Sequence, residues 1–289
     1  MTPTTVSHSM KPAPFLVPEP AFLLNEAYPR HAIAVPPGVH RSGRYAVRFA
    51  TSVEDLRAAQ RLRFEVFNVE LREGLSDSYA TGLDIDAYDR RCHHLLVLEE
   101  SSGKVVGTYR LMISELTHGQ PFYTESEFDL GGIPDQVLRH GAEVGRACVA
   151  KEHRNGRVLQ LLWRGIARYL DWNDKRFVFG CCSVPSLDTA EIAGISVKLA
   201  SEGHLHPRYR AAVLPGLRSA AQDTVVARPH GALPPLFASY LRLGAKVCGG
   251  PAFDRDFCVT DYFVVLDLRD VAARLLANLA APGWWQSSR

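Results

Sequence analysis

The segment EVGRACVAKEHRNGRVLQLLWRGIARYL, from Glu143 to Leu170, crowds cations around one strand-to-helix turn. Between Arg139 and Arg168 stand seven of them (Arg139, Arg146, Lys151, Arg154, Arg157, Arg164 and Arg168). Only Glu143 and Glu152 oppose them, a local +5 in a chain of net charge +2. A helix N-terminus offers unpaired N–H groups and the positive end of its dipole, so arginines there favour a phosphate. A solvated charge cluster is the competing reading of the same loop. Glu143 and Arg146 lie on the strand before the loop. Strict alternation puts Glu143, Gly145, Ala147 and Val149 on one face and Arg146 on the other; a β-bulge at Gly145 would reunite them.

Other reactive side chains read as structural. The six cysteines (Cys92, Cys148, Cys181, Cys182, Cys248, Cys258) form no C-x-x-C pair, and several sit in apolar strand patterns. That favours reduced, buried thiols over disulfides or zinc. Cys148 has no histidine at a recognisable partner position, which speaks for packing over a nucleophilic role. His93/His94 and His204/His206 lack the spacing of a zinc set, and no metal site is expected. The small net charge argues against nucleic-acid binding. No apolar run is long enough to cross a bilayer, and no secretory signal is evident.

The elements that position these groups follow from periodicity. Eight of eighteen prolines fall in residues 1–44, which reads as a Pro-rich extended arm, packed on the domain or touching a membrane surface. Strands are expected at YAVRFA (45–50), in a hairpin of HHLLVLEE and KVVGTYRLMI turning at Ser101–Gly103, and at AEVGRACVA, RFVFGCCSV, DTVVARP and DYFVVLDL. Helices are expected after an N-cap at Ser52, over RVLQLLWRGIARYLDW, over SLDTAEIAGISVKLASEG to Gly203, over PPLFASYLRLGAKV to Gly244, and over Val271–Leu279. The order describes one mixed α/β domain over 45–280, with a tail at 281–289.

The order of elements and the loop at Lys151–Arg157 resemble the GNAT acyltransferase fold, which implies a mixed, largely antiparallel central sheet flanked by helices. That fold's phosphate loop carries Q/R-x-x-G-x-G/A; here EHRNGRVL supplies Gly156 but no second glycine. RLRFEVF (61–67), LDIDAYD (83–89), VVGTYRL (105–111) and EVGRACV (143–149) resemble, in order, motifs of acyl-homoserine-lactone synthases. PFYTESEFDL, FGCCSV and PAFDRDFCVTDYFVVLD extend the likeness to bacterial L-ornithine N-alpha-acyltransferases of ornithine-lipid synthesis, a family often labelled hemolysin-like.

The resemblance implies transfer of a 3-hydroxyacyl group from acyl carrier protein to the α-amine of ornithine, giving lyso-ornithine lipid. Phosphopantetheine of the carrier would be the donor arm, with no cofactor held by the enzyme. Glu143 would take the amine's proton and Arg146 would face the reaction centre. Arg63, Asp86, Asp89 and Arg110 would bind the acceptor, or pair among themselves and hold the loop. Asp84, Glu127 and Asp129 join Asp86 and Asp89 as candidate partners for ornithine's second ammonium. Cys148, Val149, Arg154, Asn155, Gly156 and Arg157 would receive the phosphopantetheine, with a backbone N–H in Ala147–Val149 as oxyanion donor. A carrier protein and an amino-acid acceptor are the expected partners. The expected location is cytoplasmic, with peripheral contact at the inner face of the membrane. Rival readings are an N-acyl amino acid or acyl-homoserine-lactone synthase, and a non-catalytic membrane-associated protein.

Overall fold

A computed structural model describes residues 28–74, 76–219 and 233–271. The expected DTVVARP strand, the Val271–Leu279 helix beyond its first residue and the 281–289 tail lie outside the described residues. Strands β1 (His40–Ser42) and β2 (Tyr45–Phe49) lead into helix α1 (Val53–Arg63). The Ser52 hydroxyl caps α1 by accepting from the Asp55 N–H at 3.2 Å, as the sequence suggested. The helix runs on as a π-helical segment, Phe64–Leu71. Next come β3 (His93–Glu99), β4 (Val105–Ile113), the short helix α2 (Ser114–Thr117), β5 (Phe128–Asp129) and α3 (Asp135–Arg139). Then follow β6 (Gly141–Val149), α4 (Arg157–Trp172), β7 (Phe177–Val184) and α5 (Thr189–Ser201). The described residues end with β8 (Ala212–Val213), α6 (Pro235–Leu243), β9 (Lys246–Val247), β10 (Ala252–Asp254) and β11 (Val259–Asp267).

The main sheet has the order β1-β2-β3-β4-β6-β7-β11-β10, with β9 also on β11; β5 and β8 pair separately. Every neighbour is antiparallel except β6 and β7. This is the mixed, mostly antiparallel α/β architecture expected. Residues 28–44, the described part of the expected arm, pack on the domain. β1 pairs with β2, Val35 joins the core, and Trp172 Nε1 donates to the Ile33 carbonyl at 2.9 Å.

Helix α4 covers one face of the sheet. Its stripe Val158, Leu161, Leu162, Ile166, Tyr169 and Leu170 is buried, as the 3.6-residue period requires. Close approach is bought by two glycines: a Cβ at Gly165 would lie 2.5 Å from Leu95, and one at Gly107 would lie 2.5 Å from Val158. Helix α1 covers the opposite face, where Leu62 and Val66 pack on Cys148.

β6 and β7 are parallel neighbours for only three residues, Gly141↔Phe177 to Glu143↔Phe179. Beyond Glu143 they part, and a cleft opens between them. Gly180 marks the fork, since a Cβ there would fall 2.4 Å from the Val144 carbonyl oxygen. Because backbone cannot yield as a side chain can, Gly180→Ala should destabilise the fold by about 1–3 kcal/mol. Urea unfolding of the variant against wild type checks this; an unchanged midpoint would disprove the close-approach argument.

Candidate active site

The cleft holds about 400 Å³. Tyr109, Arg110 and Met112 of β4, Glu143–Ala147 of β6 and Cys181–Ser183 of β7 line it. The start of α6, Tyr123–Thr124 and the β10–β11 hairpin complete the wall. The cleft is two-sided. On the α4 side it is apolar and aromatic: Tyr109 and Tyr240 share a hydroxyl hydrogen bond of 2.8 Å, and Trp163 packs edge-on against Tyr240. On the α1 side it is charged.

A β-bulge brings that charge into line. β4 and β6 pair as Arg110↔Gly145 and then Thr108↔Cys148, so two residues of β6, Arg146 and Ala147, oppose Tyr109 alone. The bulge therefore sits at Arg146, which adopts φ 48°, one residue beyond the expected Gly145. The slip changes the parity of the strand. Glu143 and Arg146, separated by strict alternation, both line the cleft.

Glu143 is buried and held by three donors. The Thr124 N–H (2.7 Å) and hydroxyl (2.6 Å) reach Oε1, and the Tyr123 N–H (3.0 Å) reaches Oε2. Burial raises its pKa; those donors and the nearby Arg110 restrain the rise. A carboxylate so poised is a better proton acceptor than a free one.

Beneath the cleft lies a balanced cluster of three arginines and three aspartates. Arg63, 0% exposed, donates to Asp84 Oδ2 at 2.8 Å, to the Asp84 carbonyl at 2.7 Å and to Asp89 at 2.7 and 3.0 Å. Arg110 donates to Asp89 at 3.1 Å and to Asp86. Gln60 adds a donor to Asp89 at 2.9 Å, and His94 Nε2 lies 3.5 Å from it. Burial lowers the His94 pKa, so the ring favours its neutral form. For Asp84 and Asp89 burial would raise the pKa, but the surrounding cations win and hold both carboxyls down.

Of the residues assigned to the acceptor, Arg110 lines the cleft, whereas Arg63 and Asp89 lie one layer deeper. Arg63 turns all three of its nitrogens inward, so mutual pairing, one of the two sequence readings, describes what it does. Arg146 reaches the cluster from above, 3.6 Å from Asp86 and 3.9 Å from Asp84, with its guanidinium near the Phe67 and Phe257 rings.

The loop after β6 forms the start of α4. Gly156 takes φ 81° with open space around it, and Asn155 Oδ1 accepts from the Arg157 N–H at 3.1 Å. Ala150 N–H donates to Val106 O at 2.9 Å on β4. Alternation therefore turns the Val149 N–H away from β4. Arg154 and Arg157 are less free than the loop's composition implied. Arg154 makes a bidentate pair with Glu70 at 2.6 and 2.7 Å and donates to the Val149 carbonyl; Arg157 donates to Ser42. Cys148 is buried against Leu62 and Val66, and burial pushes its thiol up to about 12. It is not poised as a nucleophile.

Sequence reasoning gave no role to Thr124, Asp254 or Asp261, all on the cleft wall. The signal was present in part: Asp261 interrupts the apolar run VTDYFVVL, where a lone carboxylate in a central strand is anomalous.

A splayed mixed sheet, a phosphate-type loop at a helix start and a buried carboxylate at the fork define an acyltransferase of the GNAT class. Residues 62–164 match the acetyltransferase (GNAT) domain family. The L-ornithine N(alpha)-acyltransferase of Agrobacterium fabrum (strain C58) is 33% identical over 254 residues, covering 82% of this chain and 85% of that protein. The enzyme of the same name from Rhodobacter capsulatus is 31% identical over 80% of this chain and 92% of its own length. Among solved structures, the CoA-dependent acyl-homoserine lactone synthase BjaI aligns with TM-score 0.45 and 16% identity, over 82% of this chain and 87% of that one. The chain belongs to the L-ornithine N(alpha)-acyltransferase family.

Removing one member of the buried cluster strands charges that cannot reach water. Asp89→Ala leaves Arg63 and Arg110 short of their shared anion and should cost about 3–5 kcal/mol. Chemical denaturation monitored by tryptophan fluorescence measures it. A loss under 1 kcal/mol would show the cluster is not what holds the α1 side together.

Proposed function

We propose that this chain transfers a 3-hydroxyacyl group from acyl carrier protein to the α-amine of L-ornithine, giving lyso-ornithine lipid. The observation that carries the reading is the two-sided cleft with buried Glu143 at its fork. The names of the relatives supply the acceptor.

The acyl chain enters from the α4 side, along Tyr109, Phe237 and Tyr240, with the phosphopantetheine crossing the Val149 edge of β6. Its phosphate meets the start of α4 at Asn155, Gly156 and Arg157. Acyl carrier protein carries only this arm, so a loop lacking the second glycine of a full coenzyme A site is compatible with such a donor. The acceptor enters from the α1 side, its carboxylate against Arg146 and Arg110. Asp86 and the buried Asp89 hold Arg110 from below, and Asp86 and Asp84 draw Arg146 towards the same cluster.

An ammonium cannot attack, so the α-amine gives a proton to Glu143, directly or through a water. The α-amine is the easier one to deprotonate, at about 7.7–8.0 against about 10.4 for a side-chain amine. Its nitrogen adds to the thioester carbonyl, and the Val149 N–H faces the developing oxyanion. Collapse breaks the C–S bond; the thiolate leaves and takes the extra proton still on the nitrogen, so the products are the neutral amide and the carrier's thiol. The product is amphiphilic, which supports peripheral membrane contact on the cytoplasmic side. No helix among the described residues is long and apolar enough to cross a membrane.

The test is mass spectrometry of purified protein mixed with 3-hydroxyacyl carrier protein and an equimolar set of amino acids. Acyl-ornithine as the dominant product is expected; another acyl amino acid, or none, overturns the reading. Glu143→Gln should lower kcat by about 100- to 10,000-fold. Because the base must be ionised and burial raises its pKa, wild-type kcat should fall on acidification with a midpoint above about 4.3, the value of a free glutamate. A rate flat with pH down to that value would exclude Glu143 as the base.

A further inference from the structure

A second group of acids borders the cleft apart from the Arg63 cluster. Carboxylate oxygens of Glu127, Asp254 and Asp261 all lie within 4.8 Å of one another. Asp254 and Asp261 line the cleft itself, and Glu127 stands behind them. No arginine or lysine among the described residues forms an ion pair with any of the three. Asp261 accepts from the Ser183 hydroxyl at 2.6 Å, and Asp254 caps the turn at Asp256 and Phe257. Glu127 is different. It is 2% exposed, and neither of its carboxylate oxygens has a hydrogen-bond partner of normal geometry; the Tyr123 hydroxyl and the Cys181 thiol are only near enough to temper its pKa.

A buried carboxylate without a donor is costly unless a cation arrives or a proton stays on. The protein does not supply the cation. The Arg146 guanidinium acts on Asp254 and Asp261, but it is already spread over Asp84 and Asp86. Burial and mutual repulsion accordingly push Glu127 well up and Asp261 to about 6. The group is thus short of positive charge by design of its surroundings.

Its position relative to Glu143 is set by one turn of chain. The Tyr123 and Thr124 N–H groups hold Glu143, and the Glu127 N–H closes the same turn onto the Thr124 carbonyl at 3.1 Å. Cys181 lies between, close enough to feel Glu127, Asp261 and Glu143 together. Glu143 and the three acids thus flank the same turn and the same cysteine of β7.

We propose that Glu127, Asp254 and Asp261 form the receptor for the second, side-chain ammonium of a diamino-acid acceptor, and so select ornithine over neutral amino acids of the same length. This rests on the ornithine reading above and adds to it the residues that choose the substrate. An ammonium brings three donors and one positive charge, which satisfies the orphaned Glu127 and the repulsion among its neighbours. It also keeps that amine protonated and unreactive, leaving the α-amine as the one that attacks.

The experiment compares L-ornithine with L-norvaline, which has the same carbon chain and no side-chain amine, using kcat/KM with the acyl donor saturating. Wild type should favour ornithine by at least about 100-fold, because a site built for a polar group rejects the analogue lacking it. Glu127→Gln should shrink that ratio at least tenfold, mostly through KM for ornithine. General damage lowers both substrates and leaves the ratio intact, so the ratio separates recognition from folding. If Glu127→Gln proves insoluble, Asp254→Asn, at a partly exposed position, carries the same test. An unchanged ratio in a folded variant overturns the proposal, as does a wild type that acylates both substrates equally. A wild type that acylates neither, but accepts another amino acid, overturns the ornithine reading as well. Loss of activity in EDTA, restored by Mg²⁺ or Ca²⁺ in wild type but not in Glu127→Gln, would make the cluster a metal site and likewise sink the proposal.

Discussion

Everything at the centre of this molecule depends on β6 leaving β7 while it stays paired with β4. A strand in mid-sheet normally spends its N–H and C=O groups on both neighbours. Here the pairing with β7 stops after Glu143, so the following residues present backbone to a gap instead. The sheet is thereby opened from one face to the other without being cut. The bulge at Arg146 belongs to the same solution: it bends β6 and resets which side chains point to the charged face. Without it, Arg146 would be turned away from Glu143.

The two faces of the gap then meet very different surroundings. Towards α4 the walls are the rings of Tyr109, Phe237 and Tyr240, with Trp163 packed behind them, an apolar surface that suits a long apolar chain. Towards α1 the floor is a neutral lattice of Arg63, Arg110, Arg146 and three aspartates. Such a cluster gains little net stability over an apolar core. Its value lies in geometry, because Arg63 and Arg110 are each hydrogen-bonded to two aspartates, while Arg146 is drawn to the cluster by charge from above. The acids at Glu127, Asp254 and Asp261 lack that balance, and this contrast separates the supports of the site from the receptor proposed for it.

Much of this was legible from residues alone. The 3.6-residue stripe of RVLQLLWRGIARYL announced α4, and Ser52 with Asp55 announced the start of α1. The alternation argument even exposed the need for a bulge beside Arg146. The reason it misplaced that bulge by one residue is physical: glycine is the usual occupant of a positive φ, yet Arg146 adopts it under the constraint of its partners. What sequence withheld was partnership across distance. That Arg154 would be taken by Glu70 depends on how α1 and its π-helical continuation lie over the sheet. The Thr124 donors to Glu143 come from a turn with no periodicity to read. Asp254 and Asp261 sit far along the chain and approach Glu127 only through the β10–β11 hairpin.

The ends of the sheet have a consequence for how the protein behaves in a crowded solution. The interior strands are up to nine residues long and largely apolar, the kind of segment that readily adds to a like strand from another chain. The terminal strands of the sheet order, β1 and β10, have three residues each. β1 carries an exposed Arg41 ion-paired to Glu100, and β10 ends at Asp254, whose carboxylate is turned to its own loop. An edge so short and charged is a poor template for further strands. Among the described residues, the long hydrophobic strands are therefore flanked by short ones, β1 on one side and β9 and β10 on the other, which offer little to a further strand.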